Sequence, residues 1–298
     1  MARASLGFRE MKLSRALTAA VGAAVLLGGA AKADDAQADE AQRGYSLFNP
    51  APADKLRGLC TDRPTKSTGP CTVDAGHWQV ESDLYNLTYQ RDSGVSTTTE
   101  LFTNPTLKLG LTDNLDVEAN IVPFEQVTVK DHGATTRTTG AGDLYLRLKD
   151  SLVGGDNAKV AIAVSPFLKV PTAGSGLGNG AVEGGVIVPV QFALGDWQLL
   201  FDPELDVLKN AADDGRHVSA AGLVSLSRAA SKAVTLSAEL WTQSDFDPTG
   251  TTTQYSADLG AAWIPTQAPN LQLDTGVNLG LNRATPDVQA YVGISRRF

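Results

Sequence analysis

The segment Leu115-Asp-Val-Glu-Ala-Asn-Ile121 alternates apolar and polar side chains without interruption. Successive side chains of a β-strand point to opposite faces of the sheet, so this segment has one aliphatic and one polar, acidic face. The same period of two returns in Asp143-Leu-Tyr-Leu-Arg-Leu-Lys149 and in Leu271-Gln-Leu-Asp-Thr-Gly-Val-Asn-Leu279. The alternation predicts strands from Trp78 to the end of the chain.

The polarity of the two strand faces distinguishes between the possible all-β folds. One face is almost purely aliphatic from strand to strand, while the other often carries charges. A soluble β-sandwich also alternates, but a membrane barrel needs an apolar outside, a polar lumen and backbone pairing between all strands. The sequence therefore predicts an all-β, transmembrane, antiparallel up-and-down β-barrel, preceded by a short N-terminal arm.

About twelve strands fit into this barrel, and an even number returns the chain to the side where it began. Tight turns are predicted at 110–114, 195–196 and 229–232. Long outer loops are predicted at 90–98, 125–139, 171–181, 208–217 and 243–253. The strands are predicted to begin near Trp78, Glu100, Leu115, Ala141, Lys159, Val182, Trp197, Val218, Ala233, Gln254, Leu271 and Val288.

Prolines and tryptophans indicate where these strands are irregular and where they end. Prolines inside strand segments remove a backbone donor, so they indicate bulges, kinks or strand ends. Tryptophans near strand ends are typical of the aromatic girdles of membrane barrels. The prolines are Pro105, Pro166, Pro189 and Pro203, and the tryptophans are Trp78, Trp197, Trp241 and Trp263.

The beginning of the chain indicates export. Basic residues precede a short apolar stretch at 17–27, and Ala31-Lys32-Ala33 fits the A-x-A cleavage pattern. A spanning helix needs about 20 apolar residues, so this stretch is too short and too rich in Gly and Ala to be a membrane anchor. Residues 1–33 are therefore predicted to be a cleaved signal peptide.

The end of the chain indicates where the exported protein goes. The last strand, Tyr291-Val-Gly-Ile-Ser-Arg-Arg-Phe298, alternates and closes on an aromatic residue. This end is similar to the signal by which outer-membrane barrels are assembled. We therefore expect the bacterial outer membrane as the location, with its lipid and the barrel-assembly machinery as partners; the oligomeric state stays open.

Charge and cysteine content describe the exported part. The whole chain carries −8 and residues 1–33 carry +4, so the remainder is near −12, which argues against nucleic acid as a partner. Residues 34–74 are polar and form a periplasmic arm, a partial plug of the lumen or a loosely ordered leader, before the barrel at 75–298. Cys60 and Cys71 are predicted to form a disulfide; a metal site is the weaker reading, because no His or third Cys lies at ligand spacing.

Three stretches together resemble the outer-membrane transporter family named for the meta-pathway of phenol degradation. They are Thr61-Asp-Arg-Pro followed by Pro70-Cys-Thr-Val-Asp-Ala-Gly-His-Trp-Gln-Val-Glu81, then Gly140-Ala-Gly-Asp-Leu-Tyr-Leu-Arg-Leu-Lys149, and Ser165-Pro-Phe-Leu-Lys-Val-Pro-Thr172. The resemblance covers residues 61–298. It implies an outer-membrane barrel associated with the uptake of small, often aromatic compounds, and it transfers no catalytic residues and no cofactor.

Strand phase assigns a set of charged side chains to the lumen. Such charges set the field and the selectivity of a pore, although opposite charges also cross-link and fill a small barrel. The acidic excess predicts a mild preference against anions. The candidate lumen residues are Glu81, Asp83, Asp116, Glu118, Asp143, Arg147, Lys149, Asp202, Glu204, Asp206, Glu239, Asp258 and Asp274, joined by Lys108 and Lys169.

One pair of residues supports a catalytic alternative. His217-Val-Ser219 follows a predicted outer loop and resembles the catalytic pair of outer-membrane lipid hydrolases. Strand phase turns both side chains toward the lumen, whereas such an enzyme needs them outside, and no orienting Asn or Asp is evident at matching height. The prediction is therefore passive uptake of small molecules without catalysis, cofactor or metal; the alternatives are this hydrolase and a closed structural barrel.

Overall fold

A computed structural model describes residues 44–155 and 158–298, so the predicted signal peptide lies outside the described residues. Within them, seventeen β-strands form one sheet, which closes because the first strand pairs with the last. No helix in this part of the chain is long and apolar enough to cross a membrane. The strands are β1 (Trp78–Asp92), β2 (Val95–Leu101), β3 (Asn104–Gly110), β4 (Leu115–Ile121), β5 (Glu125–Asp131), β6 (Ala134–Gly140), β7 (Leu144–Val153), β8 (Val160–Val170), β9 (Glu183–Ile187), β10 (Val190–Leu194), β11 (Trp197–Phe201), β12 (Glu204–Lys209), β13 (Arg216–Ala229), β14 (Val234–Asp245), β15 (Thr252–Trp263), β16 (Leu271–Gly280) and β17 (Val288–Arg297).

These segments make a closed barrel of twelve antiparallel strands, because five barrel strands are each interrupted once: β2 and β3, β4 and β5, β6 and β7, β9 and β10, and β11 and β12. Backbone hydrogen bonds cross the interruptions. Phe102 donates to the carbonyl of Phe124 at 3.0 Å, and Val188 donates to that of Pro203 at 3.0 Å. The predicted fold is confirmed.

The four strand prolines fall into two groups. Pro189 lies between β9 and β10 and Pro203 lies between β11 and β12, so each marks an interruption of its barrel strand. Pro105 and Pro166 instead stay within β3 and β8. The missing backbone donor therefore ends a strand segment at two of these positions and is tolerated inside the sheet at the other two.

Two predicted outer loops are wrong. Residues 90–98 and 125–139 belong mostly to strands, and only Ser93-Gly94 and His132-Gly133 connect β1 to β2 and β5 to β6. All four connecting residues have positive φ, as a type I′ hairpin turn requires. The Thr-rich strands around these turns read as loops in the sequence because His-Gly and Ser-Gly are weaker hairpin signals than Asn-Gly. The other predicted turns and outer loops are found within a few residues.

The outer face of the barrel is apolar and the inner face is polar. The exposed side chains include Leu205, Leu240 and Leu259, each more than half exposed, whereas neighbouring residues of opposite phase are buried and charged. This inverts the arrangement of a water-soluble protein and suits a barrel surrounded by lipid.

Three of the four tryptophans form a partial girdle. Trp78, Trp197 and Trp263 are exposed at the end of the barrel where β1 begins and β17 ends, here called the terminal end. Trp241 is an exception, because it lies in the middle of β14 and its ring contacts Lys66 Nζ at 4.4 Å from the ring centroid. Its phase matches that of the buried Glu239, so Trp241 faces the interior, and its prediction as a girdle residue was wrong.

A charged residue placed on the lipid face should destabilise the barrel more, the closer it lies to the middle of the bilayer. Leu240→Arg, in the middle of β14, is expected to lower the free energy of unfolding by about 2–4 kcal/mol, because Arg at the bilayer midplane costs this much. Ser244→Arg, on the same face near the other end of β14, is the matched control and should cost less than about 1 kcal/mol. Urea unfolding in lipid vesicles measures both, and equal losses would contradict the assigned membrane face.

Candidate functional site

The inner face of the strands carries all the side chains that the sequence assigned to the lumen. Asp143, Arg147 and Glu204 keep partial exposure to the interior space. The buried ones are Glu81, Asp83, Asp116, Glu118, Lys149, Asp202, Asp206, Glu239, Asp258 and Asp274, and Lys108 and Lys169 are buried with them. A segment that precedes the first strand contacts most of them from inside, whereas Lys169 is bound by Glu183 and Asn179.

Residues 57–74, here called the plug segment, make these contacts. Asp62 reaches two lysines of the wall, Lys108 Nζ at 2.5 Å and Lys149 Nζ at 2.8 Å. Both lysines also contact carboxylates of their own wall, and Lys108 lies 2.7 Å from Glu81. Asp62 is therefore the acidic centre of a buried cluster that joins β1, β3 and β7.

The electrostatic state of Asp62 follows from this cluster. Burial by itself would raise the pKa of the Asp62 carboxyl group, but Lys108 and Lys149 lower that pKa well below its usual value. Asp62 is therefore ionised at neutral pH. Its negative charge compensates the two buried ammonium groups, which would otherwise repel each other across the wall.

Arg63 binds the plug segment to the region where the barrel closes, on either side of β17. Its guanidinium contacts Asp83 at 2.6 Å and Asp274 at 2.8 Å, so one side chain links β1 to β16. Its neighbour across the wall is Gly293, where an added Cβ would overlap the guanidinium. The glycine inside β17 therefore leaves room for the guanidinium at this position.

The next residues of the plug segment bind the far wall. The backbone N–H of Lys66 donates to Glu239 at 2.9 Å, and its ammonium group lies 3.2 Å from Asp258. The backbone N–H of Thr68 donates to Asp202 at 2.6 Å. The segment thus contacts wall carboxylates on several sides of the barrel.

A disulfide and a base of ion pairs shape the plug segment. Cys60 and Cys71 are bonded, with Cα atoms 6.4 Å apart, which confirms the predicted pair. At the end of the plug segment, Asp74 binds Arg57 at 3.0 Å and Arg297 at 2.6 Å. The disulfide closes the loop that carries Asp62, Arg63 and Lys66 into the interior.

The sequence reading missed these plug residues as parts of the site. Two signals could have found them. The plug segment places Arg63 and Lys66 between two cysteines, opposite a lumen predicted to be acidic, and β15 and β17 contain Gly260 and Gly293 at inward positions. Glycines inside strands often indicate that another backbone or ligand approaches closely.

Empty space remains beside the plug segment. A cavity of about 1000 Å³ lies between this segment and the wall of β10 to β15, and it reaches the turns at the terminal end. Small uncharged side chains line much of that wall, including Ser225, Ser227, Thr235 and Ser237. A second cavity of about 320 Å³ is lined by Thr106, Glu118, Asn120, Tyr145 and Arg147.

His217 and Ser219 face the interior but have separate partners. His217 Nε2 lies 2.6 Å from Asp245, and its Nδ1 lies 3.0 Å from Asn210. The fully buried Ser219 accepts a hydrogen bond from Gln243 at 3.0 Å. The expectation that no orienting Asn or Asp lies at matching height was wrong, because Asn210 and Asp245 both contact this histidine and Asp245 pairs with Ser219 on β14.

Groups of three or more potential metal-binding side chains are absent from the part of the chain that the structure describes. Many charged side chains of the interior form ion pairs, either with the plug segment or within the wall.

A closed twelve-stranded barrel with an aliphatic outside and a charged inside defines the class of transmembrane β-barrels of the outer-membrane type. Within this class, the chain belongs to the family described as "Putative MetA-pathway of phenol degradation", whose model matches residues 61–298. No curated protein matches the sequence.

One solved structure shares the fold, and two others are similar at lower TM-scores. An outer membrane channel from Pseudomonas putida F1 superposes with a TM-score of 0.63 at 14% identity, over 79% of this chain and 100% of the channel. The NanC porin covers 74% of this chain and 98% of its own at 10% identity and a TM-score of 0.45. The translocator domain of the autotransporter NalP from Neisseria meningitidis covers 74% and 88% at 16% identity and a TM-score of 0.44.

The buried ion pairs of Arg63 should matter far more than an exposed one. Arg63→Ala leaves Asp83 and Asp274 buried without a cation, so we expect the free energy of unfolding to fall by about 3–5 kcal/mol. Arg228→Ala is the matched control, because its pair with Asp196 is exposed, and it should cost less than about 1 kcal/mol. Denaturant unfolding in detergent measures both, and a similar small loss for the two variants would show that the plug segment is not held by Arg63.

Proposed function

We propose that this protein is an outer-membrane channel for the passive uptake of small molecules. The observation that carries the proposal is the cavity of about 1000 Å³ between the plug segment and the wall of small polar residues. A solute that passes along this wall meets hydroxyl and amide groups, while the charges of the opposite wall are engaged in ion pairs. Such a path would conduct small solutes and exclude large ones.

The outer surface of the barrel indicates where the protein is located. The apolar outer face and the partial tryptophan girdle support insertion into the outer membrane. We infer that the lipid of this membrane and the barrel-assembly machinery are its partners. The terminal end would then face the periplasm, since both termini of the barrel lie there.

The solute class rests on the family and on the charge of the interior. The family description names phenol degradation, which favours small aromatic or hydrophobic compounds. The interior contains more carboxylates than cations, and Asp202, Glu204 and Asp206 take part in no ion pair among the described residues. A channel of this kind should prefer cations and neutral solutes to anions.

The alternative to a channel is a closed structural barrel, and its wall would have the same features. The plug segment would then fill the interior permanently, as its many contacts allow. The two functions differ in one property that can be measured, which is the passage of ions through the purified barrel.

Single-channel recording tests the channel. The full-length protein in planar bilayers should give small, discrete conductance steps. Ser227→Trp, which adds bulk to the cavity wall, should lower the conductance at least about twofold, because a narrow path is sensitive to its radius. Leu226→Trp is the control on the lipid face of the same strand and should leave the conductance unchanged. Failure to see any conductance would favour the structural barrel.

The hydrolase alternative has its own test. His217 and Asp245 form a close pair, but the buried Ser219 hydroxyl is bonded to Gln243 rather than exposed to lipid. We therefore expect Ser219→Ala to leave the background rate of phospholipid hydrolysis unchanged in detergent micelles. A loss of a measurable wild-type activity in this variant, with Ser244→Ala unaffected, would support the enzyme.

A further inference from the structure

Two aromatic rings face the lumen on the side of the plug segment away from the terminal end. Tyr145 of β7 and Phe167 of β8 have ring centroids 6.5 Å apart, with their planes inclined by 39°. Tyr145 shares the inward phase of Arg147 and Lys149, yet it remains 39% exposed. One face of its ring is therefore open to the interior space, and a planar ligand could stack there.

The space beside Tyr145 is large enough for such a ligand. The cavity of about 320 Å³ is bounded by this ring, Arg147, Glu118, Asn120 and Thr106. A cavity of about 150 Å³ already admits benzene in other proteins. The side chains around it are mostly polar, so a ring that also carries a polar group would fit this lining better than a hydrocarbon.

Arg147 offers a donor that the protein does not use. Its Nη1 lies 3.3 Å from Glu118, but its Nε is buried and has no hydrogen-bond partner among the described residues. A buried donor without a partner costs free energy until an acceptor reaches it. The oxygen of a ligand hydroxyl group would be a suitable acceptor.

The charge around this cavity disfavours anions. Asp202, Glu204 and Asp206 lie on the far side of β8 and β9, just before and within β12, and their charges reach Tyr145 or Arg147 across the interior. Asp202 and Asp206 each have a buried carboxylate oxygen without a hydrogen-bond partner among the described residues. Because Glu118 is already paired with Arg147, the lining of this cavity offers no free cation to an aromatic carboxylate, whereas a hydroxyl or an ammonium group needs none.

We propose that Tyr145, Phe167 and Arg147 form a ring-binding subsite of the lumen that accepts monocyclic aromatic solutes with a hydroxyl or amino group and rejects aromatic carboxylates. The subsite deepens the proposed channel function, on which its role in uptake rests. Tyr145 supplies the stacking surface, Arg147 donates to the hydroxyl oxygen, and the three carboxylates favour a neutral or positive substituent.

Calorimetric titration of the full-length protein in detergent, with protein-free micelles subtracted, tests the subsite with phenol, benzylammonium, benzoate and cyclohexanol. Phenol and benzylammonium should bind at least about tenfold more tightly than benzoate, because the carboxylate of benzoate would lose its water without gaining a free cation. Cyclohexanol should bind more weakly than phenol, because it lacks the flat ring that stacks on Tyr145.

Variants locate the site. Tyr145→Leu should weaken phenol binding roughly three- to tenfold, the usual effect of losing one aromatic contact, while Tyr255→Leu, on the outer face, should not. The double change Glu204→Gln and Asp206→Asn should bring benzoate closer to phenol, while Asp196→Asn at an exposed turn should not. A heat-dependent gel shift confirms that each variant is folded.

The outcomes separate the subsite from the channel. Equal binding of benzoate and phenol, the same affinity in Tyr145→Leu and Tyr255→Leu, or no binding of phenol at all would each overturn the subsite. Selective binding without any conductance in planar bilayers would leave the subsite standing and defeat the channel. Conductance without selective binding would do the reverse.

Discussion

The antiparallel pairing of β1 with β17, from Gln79 opposite Arg297 to Tyr89 opposite Val288, leaves the sheet without an edge. In lipid, an unpaired strand edge would expose backbone groups that no water could satisfy, so the wall must be continuous. Everything else depends on this closure. Because the wall is closed, its two faces are separate environments, and the alternation of each strand sorts aliphatic side chains to the lipid and charged ones to the interior.

An interior lined with carboxylates is stable only if cations and donors reach them. The plug segment supplies both, since Arg63 binds Asp83 and Asp274 across the closing seam, and Lys66 lies beside Asp258. Breaking such a pair leaves a buried charge without compensation, which is more costly than the pair is favourable. The plug segment and the wall are therefore one electrostatic unit, and the proposed channel would use the space that remains beside it.

Most of the fold could be predicted from the alternation of apolar and polar side chains and from the turn residues between the strands. The number of strands, the inward residues of β4 and β7, and the Cys60–Cys71 pair were predicted from local patterns. The errors were local as well. The hairpin at His132-Gly133 was read as a loop because its turn residues are unusual, and Trp241 was assigned to a girdle although strand phase turns it inward, where Lys66 covers its ring. Contacts between distant segments leave no periodic signal, so Asp62 and Arg63 were not recognised as parts of the site.

The sequence by itself determined the class of fold and the face on which each strand residue lies. The physical reason is that the period of two is a property of the strand backbone, so phase follows from position along the chain. The tertiary structure alone decided which charges meet, because the partners of Asp62 are 46 and 87 residues away in sequence. It also decided that the lumen is partly filled and that Tyr145 keeps one face free, since both depend on how the plug segment packs inside the closed wall.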